Sequence, residues 1–406
     1  MGLRGDRVMI GYDIGETTAQ ISYCFATQPT AEPDTLPGAI GSDSFLIPMV
    51  LCKQEGENRW TFGQDAVKHA QAGGILIDLL WKRANLGERI LVEETEYDPI
   101  ALLTLFIKRS LGLLNFAAPS AKIVAIQFTS KQMEATHREV LLQATQGLDM
   151  KGCTFSFQEY EESFFEYLRR QPEELSVMEC LLCDYREQRM EAYHMMNNAR
   201  TKPKVFYVQE ETYLQETQED FIPALQRMTE GRRITAVFLI GENHDPTIMK
   251  EALRFLCVGR RVFQGTNLFS KGACYSLLRQ LTSGDDSAVF LKKDVLKANV
   301  GLKVKERGKI AYYALLDAGI PWYEVNRSYE FYLQGDRDLP FMIAPLNGKN
   351  AHMEKMTLTQ GEQDCTRISM VLTMNAHNIL CVEVRDLGLG ELQAPDTKIY
   401  RETIEL

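Results

Sequence analysis

Asp13, Gly15, Thr17 and Thr18 are the residues whose types and spacing offer the clearest chemistry. They form a tight turn between an apolar stretch that begins at Ile10 and the alternating Ala19, Ile21 and Tyr23. A strand, a glycine-bearing turn with hydroxyls and a second antiparallel strand present backbone N–H groups to an anion. Gly15 permits a backbone angle that a side chain resists, and Asp13 can orient a hydrated cation or a water. The same residues equally fit a hairpin closed by an Asx-type turn with no ligand. Lys82 and Arg83 are adjacent cations before the turn at Gly87 and read, from residue type, as solvated. Cys180 and Cys183 have metal-like spacing, but Leu181 and Leu182 lie between them and no second pair follows. That pattern describes buried thiols on a strand rather than zinc. His244 has no carboxylate or cysteine partnership in sequence and reads as a cap or surface residue.

The elements that must position these groups follow a strand–helix alternation and then an all-strand tail. Residues 45–51 read as a strand, 64–72 as a short helix stopped by Gly73 and Gly74, and 100–114 as a long apolar-rich helix. Asp98 is placed to cap that last helix, with Pro99 in its first turn. Residues 121–128 read as a buried strand, 130–144 as a helix, and 177–184 as a strand with Asp184 at its end. Further strands are expected at 205–208, 234–240 and 260–263, with helices at 219–228 and 247–256. Beyond a polar break at 282–287, strand-like segments recur at 300–304, 310–315, 329–333, 341–344, 354–358, 367–374 and 379–384. Short strands separated by Gly and Asp/Asn turns describe an antiparallel β-sandwich. A chain of 406 residues suggests two or three domains, and its 45% apolar content is enough to bury substantial cores. The net charge of −10 argues against a bulk role on nucleic acid or an anionic membrane. Nine cysteines in a chain of this size do not make a disulfide scaffold. Residues 1–7 lack the apolar run of a signal peptide, and no stretch approaches membrane-spanning length free of charge. The expectation is a reduced, cytoplasmic protein.

Asp13-x-Gly15-x-Thr17-Thr18 between two strands resembles the first phosphate loop of the actin, sugar-kinase and 70-kDa heat-shock ATPase superfamily. The rest of the chain is similar to the heat-shock branch. The carriers are Phe45-Leu46-Ile47-Pro48-Met49-Val50, Phe62-Gly63-Gln64-Asp65-Ala66, Leu80-Trp81-Lys82-Arg83 to Gly87, residues 237–241, and Gly272-Ala273. The resemblance implies a two-lobed actin-like ATPase fold over residues 1–288, a linker at 289–299, and a substrate-binding β-sandwich without a lid at 300–406. It also implies that Asp13, Gly15, Thr17, Thr18, Gly241 and Gly272 hold a nucleotide, with Asp13 reaching any Mg2+ through water. Lys82, Glu159 and Asp184 take the places of the family's catalytic groups, although Glu159 also reads as a surface residue opening a helix beside Glu161 and Glu162.

Departures from the family pattern bear on activity. After Asp184 the family's second phosphate loop is glycine-rich, whereas this chain has Tyr185-Arg186-Glu187-Gln188-Arg189-Met190-Glu191. Without glycine the backbone loses its close approach to phosphate, though Arg186 or Arg189 can itself neutralise an anion. The interval from Glu191 to Ile240 is too short to hold the family's adenine-clasping sub-lobe. Gln127-Phe128-Thr129 replaces the proline segment linked to interdomain signalling. The resulting expectation is a degenerate chaperone-like pseudo-ATPase with weak or absent hydrolysis, holding ATP or ADP with Mg2+ weakly or not at all. Its partner would be a protein or peptide client, with Tyr312, Tyr313, Phe331 and Tyr332 as candidate contacts, although strand aromatics often belong to a core. An active chaperone-like ATPase and a structural adaptor related to actin-like assembly proteins are the alternatives.

Overall fold

The computed structural model describes residues 6–54, 56, 59–186, 189–214, 221–241, 250–282, 288–335, 338–346, 350–358, 365–395 and 397–406. Glu187 and Gln188 of the anticipated second loop, the expected cap at His244 and most of the polar break lie outside these residues. The fold is mixed α/β. It divides into two compact units, Met1–Met195 with Gln209–Asp285, and Met196–Val208 with Asp286–Leu406.

In the first unit, β1 (Arg7–Ile14) is buried along all but its first residue, as its near-continuous apolar run requires of a strand covered on both faces. β2 (Thr18–Phe25) returns antiparallel, placing Gln20 opposite Asp13, and the short β3 (Asp34–Thr35) pairs beyond it. The helices α1 (Leu80–Leu86) and α2 (Pro99–Leu111) come next. Asp98 caps α2 by accepting from the Ile100 N–H at 3.0 Å, and Pro99 fills the first position, where no N–H is needed. One face of α2 buries Leu102, Leu103, Phe106 and Ile107, and Ser110 Oγ meets the Tyr12 hydroxyl at 2.8 Å. Each such buried side chain stabilises the fold by about 2 kcal/mol. The 19-residue span Pro99–Ala117 has the length and composition to cross a membrane, and 44% of its most apolar window is buried inside this unit. β4 (Lys122–Ser130) then lies parallel to β1 with Thr129 beside Asp13. After α3 (Ala135–Gln146), β5 (Thr154–Glu159) adds parallel to β4, and α4 (Tyr160–Arg169) follows. The strand order is β5-β4-β1-β2-β3.

The same plan then recurs. β6 (Glu179–Arg186) and β7 (Arg189–Asn198) form an antiparallel hairpin, followed by β8 (Lys204–Leu214) and α5 (Phe221–Thr229). β9 (Ile234–Gly241) runs parallel to β6; after α6 (Lys250–Leu256), β10 (Arg261–Gln264) runs parallel to β9, and α7 (Leu268–Leu281) closes the series. The order β10-β9-β6-β7 repeats β5-β4-β1-β2. Each half therefore reads hairpin, strand, helix, strand, helix, strand, helix, with α1 among the elements added in the first.

The closing helices of the two halves, α4 and α7, pack on each other. Gly272 makes this possible, because a Cβ there would stand 2.0 Å from the Ser163 carbonyl oxygen. Gly11 on β1 has the same role, as its Cβ would stand 2.0 Å from the Ser270 carbonyl oxygen. Stacked rings of Tyr160 and Phe269, 3.8 Å between centroids, complete the crossing.

In the second unit, β11 (Ala288–Leu291) pairs in parallel with Lys204–Tyr207 of β8. Two four-stranded sheets follow, β13-β12-β15-β16 and β14-β17-β18-β19, with β12 (Ala298–Glu306), β13 (Lys309–Leu316), β14 (Asn326–Gln334), β15 (Asp338–Pro345), β16 (His352–Thr357), β17 (Cys365–Ala376), β18 (Ile379–Asp386) and β19 (Ile399–Glu405). Alternation is clearest in β17, where Thr366, Ile368, Met370 and Leu372 are buried and their neighbours are not. Ile368, Met370 and Leu372 join Val300, Leu302, Phe341, Ile343, Val382 and Val384 in one core.

Residues 289–299, expected as a linker, include part of β11, and Val295 and Leu296 within them are buried; Met196–Val208 clusters with this unit. The only buried residue of β19 is Ile404, too weak an alternation to mark a strand in sequence.

The Gly272 contact is directly testable. Gly272→Ala is expected to cost about 3 kcal/mol or more in denaturant unfolding, as overpacking against backbone does. Gly265→Ala, where a Cβ meets nothing within 4 Å, should change stability by less than about 0.5 kcal/mol. Equal effects of the two would refute the close-packing role.

Candidate functional site

The hairpin strand that opens each half carries an aspartate near its carboxyl end. Asp13 lies near the carboxyl end of β1 and Asp184 near that of β6, and both are buried. The carboxyl ends of parallel strands are where open α/β sheets leave room for ligands. A cleft of about 680 Å³ lies here, lined by Gly15, Thr17, Lys82, Tyr160, Asp184 and Arg186, among others.

Arg186 organises the floor of this cleft. Its Nε donates to Asp184 Oδ1 at 2.9 Å, and its guanidinium carbon stands 6.0 Å from the Tyr160 ring centre. Its Nη1 would be 3.6 Å from a Cβ built at Gly15, so the cation reaches over the β1–β2 turn. The Tyr160 hydroxyl donates to Asp13 Oδ1 at 2.6 Å. Burial pushes the Asp13 carboxyl up to about 6; Arg186 and the Tyr160 hydrogen bond pull it down, and Asp184 adds to the rise. Burial works against the Arg186 charge, but Asp184, Tyr160 and Asp13 together hold its proton more tightly than usual. Burial and the neighbouring Asp13 hold the Tyr160 hydroxyl well above the ordinary tyrosine range, so it serves as a donor.

The rim is more open. Lys82 is exposed on α1 and makes no ion pair among the described residues, while Lys131 pairs with Glu191. Left-handed backbone at Leu79, φ 51°, sets the start of α1 and so the direction in which Trp81, Lys82 and Asn85 enter the wall. Two wall atoms, His137 Nδ1 and Asn85 Oδ1, are buried without a hydrogen-bond partner. Such atoms call for water or a polar ligand.

Residues 32–293 match a family described as a family of unknown function, DUF5716, C-terminal, and residues 295–406 match a domain of unknown function, DUF8552. The first match spans more than half of the chain. The chain belongs to the DUF5716 family. No curated protein matches it. The family match begins after the first hairpin, so Asp13 and Gly15 lie outside it, and the two matches meet beside Asp294.

The cleft brings together Gly15, Thr17, Lys82 and Asp184, with Asp13 directly beneath Tyr160. Among the described residues lining the cleft, Thr18, Glu159, Gly241 and Gly272 are not found. Glu159 instead caps α4 in a reciprocal capping box with Glu162, and also accepts from the Met133 N–H at 3.3 Å. Gly241 takes φ 95° and lets β9 pass Tyr185, where a Cβ would be 2.3 Å from its carbonyl oxygen. Gly272 serves the helix crossing. Sequence reasoning passed over Tyr160, one residue from the glutamate it singled out, and saw Arg186 only as a loose anion ligand. Neither residue type announces a partner in one dimension.

In the sandwich, the four candidate aromatics separate. Tyr313 and Phe331 touch, with ring centres 5.4 Å apart. Strand alternation turns Tyr312 to the outer face of one sheet and Tyr332 to the outer face of the other. The four candidates thus form one touching pair and two rings on outer faces.

The raised Asp13 pKa carries a sign. Below about pH 4 the group is neutral whether folded or unfolded; as pH climbs from the ordinary 3.8 to about 6, the unfolded chain releases its proton first and stability falls. Above pH 6 the deficit is constant at roughly 3 kcal/mol. Asp13→Asn keeps an acceptor for Tyr160 and removes the titration. Its stability relative to the parent, measured by urea unfolding, should improve from about pH 4 to about pH 6 and level off above that. A difference independent of pH would disprove the assignment.

Proposed function

We propose that the first unit is an actin- and heat-shock-like two-lobed ATPase fold whose cleft has lost metal-dependent hydrolysis, and that the chain acts as a chaperone-like binder of a polypeptide or partner protein. The fold reading is supported by the repeated plan of a hairpin followed by three strand–helix steps, with an aspartate near the carboxyl end of the first strand of each half. The observation that carries the functional reading is the place of Arg186.

Nucleotide hydrolysis on such a fold relies on a divalent cation held between phosphate oxygens and carboxylates. Here the residues present do not fit that cation. A guanidinium lies against Asp184 and reaches over the Gly15 turn, a tyrosine hydroxyl occupies Asp13 Oδ1, and burial draws Asp13 toward neutrality. Among the described residues, no three His, Cys, Asp or Glu side chains gather as a metal site. Arg186 supplies a fixed positive charge in their midst, and it brings none of the open coordination positions through which a metal activates phosphate or water. Lys82 and the unpartnered His137 and Asn85 atoms leave the cleft able to hold a polar or anionic ligand without turning it over. The DUF8552-matching sandwich, with its exposed aromatics, is the part read as the polypeptide binder.

Two measurements test this reading. The chain should show no magnesium-dependent ATP turnover; a rate of about 1 per second or faster, abolished by Asp13→Asn, would overturn it. Arg186→Ala should create affinity for Mn2+ that the parent lacks, read by calorimetry or by the spin signal of the free ion. Equal Mn2+ binding by the parent and the variant would show that the guanidinium excludes nothing.

A further inference from the structure

β13 and β14 are the end strands of their two sheets, and Tyr313 of β13 meets both Tyr329, at 6.1 Å, and Phe331, at 5.4 Å, on β14. Among the described residues neither edge is paired further, and the two lie side by side at one seam of the sandwich. β13 is exposed over Lys309–Ala314 on both of its faces, apart from a half-buried Ala311. Ile310 is 73% exposed, Tyr312 48% and Tyr313 44%. Proteins usually blunt such an edge, because its free N–H and C=O groups are a template for another strand.

Tyr312 is seated on purpose-shaped backbone. A Cβ at Gly301 would stand 2.3 Å from its ring, so the glycine lets the ring lie flat across β12, beside its register partner Lys303. Charge is concentrated at one end of the same edge. The β12–β13 hairpin carries Lys303, Lys305, Arg307 and Lys309 against the single Glu306, all exposed, and none of the four cations is ion-paired among the described residues. This stands out in a chain of net charge −10. Asp317 lies at the opposite end of β13.

Resting on the reading of the sandwich as a polypeptide binder, we propose that the free edge of β13 captures an extended acidic segment by strand addition. Backbone hydrogen bonds continue the sheet. Alternate apolar side chains of the segment meet Tyr313 and Phe331 at the seam, and Ile310 and Tyr312 on the outer face. Its carboxylates lie toward Lys303, Lys305, Arg307 and Lys309, which set direction and selectivity. A second copy pairing through the same edge would bring one carboxylate, Asp317, to four cations; a segment with several carboxylates matches them better.

The test uses the full chain and fluorescent synthetic peptides of alternating Glu and Val, the same with Lys for Glu, and the Glu–Val peptide N-methylated at alternate residues. The Glu–Val peptide should bind at least tenfold tighter than the Lys–Val peptide, lose affinity as salt rises, and fail when N-methylated. Lys305→Glu with Lys309→Glu should abolish the preference, and Tyr312→Thr should weaken binding; both sites are exposed, so folding is preserved and is checked by circular dichroism. Equal binding of all peptides, unaffected by these variants, would overturn edge capture while leaving polypeptide binding in place. Binding of no peptide and of no unfolded protein would overturn both readings. Concentration-dependent dimers that Tyr312→Thr dissociates, without peptide binding, would give the edge to a second copy instead.

Discussion

The close crossing of α4 and α7 is the constraint on which the first unit depends. Two backbones approach at Gly272 to a distance that leaves no room for any Cβ, and Gly11 allows the same helix to lie on β1. With these contacts, the closing helices of two similarly built halves bring the carboxyl ends of β1 and β6 to one cleft. Tyr160, the first residue of α4, and Phe269, the second of α7, stack at this crossing. The helix packing thus places the hydroxyl that Asp13 receives.

Electrostatics at the cleft follows from burial. Two aspartates brought together in a low-dielectric floor repel each other, and such pairs are stable only with a cation or a proton between them. This chain uses the cation, and the proton comes into play only as pH falls toward about 6. Arg186 neutralises Asp184 through a direct bond, and Asp13 is pushed toward its protonated form while the tyrosine satisfies one oxygen. A built-in guanidinium is permanent where a bound metal is exchangeable.

The second unit answers to a different constraint. Its core is filled by alternating side chains from two four-stranded sheets, with Tyr329 and Phe331 of β14 packed against it. The end strand β13 is instead exposed over Lys309–Ala314 apart from a half-buried Ala311. Basic side chains on the adjoining hairpin keep the edge from pairing indiscriminately and lend it a preference for acid.

Much of the local structure was legible in the residues themselves. The β1–turn–β2 unit, the Asp98–Pro99 start of α2 and most of the sandwich strands follow from capping chemistry, turn residues and hydrophobic period, all of which act over a few positions. Asp13 and Gly15 stood out because their types suit chemistry at a turn between strands, and Lys82 and Asp184 through the family resemblance. What one dimension did not contain was who meets whom. The choice of Tyr160 over Glu159, the placing of Arg186 over the Gly15 turn, the helix-packing role of Gly272 and the separation of Tyr312 from Tyr332 depend on contacts between residues far apart in the chain, or on which face of a strand looks inward. The weak alternation of β19 becomes a strand only because β18 offers it an edge. Short-range preferences select elements; burial and close approach between distant segments decide partners, and with them the chemistry of the site.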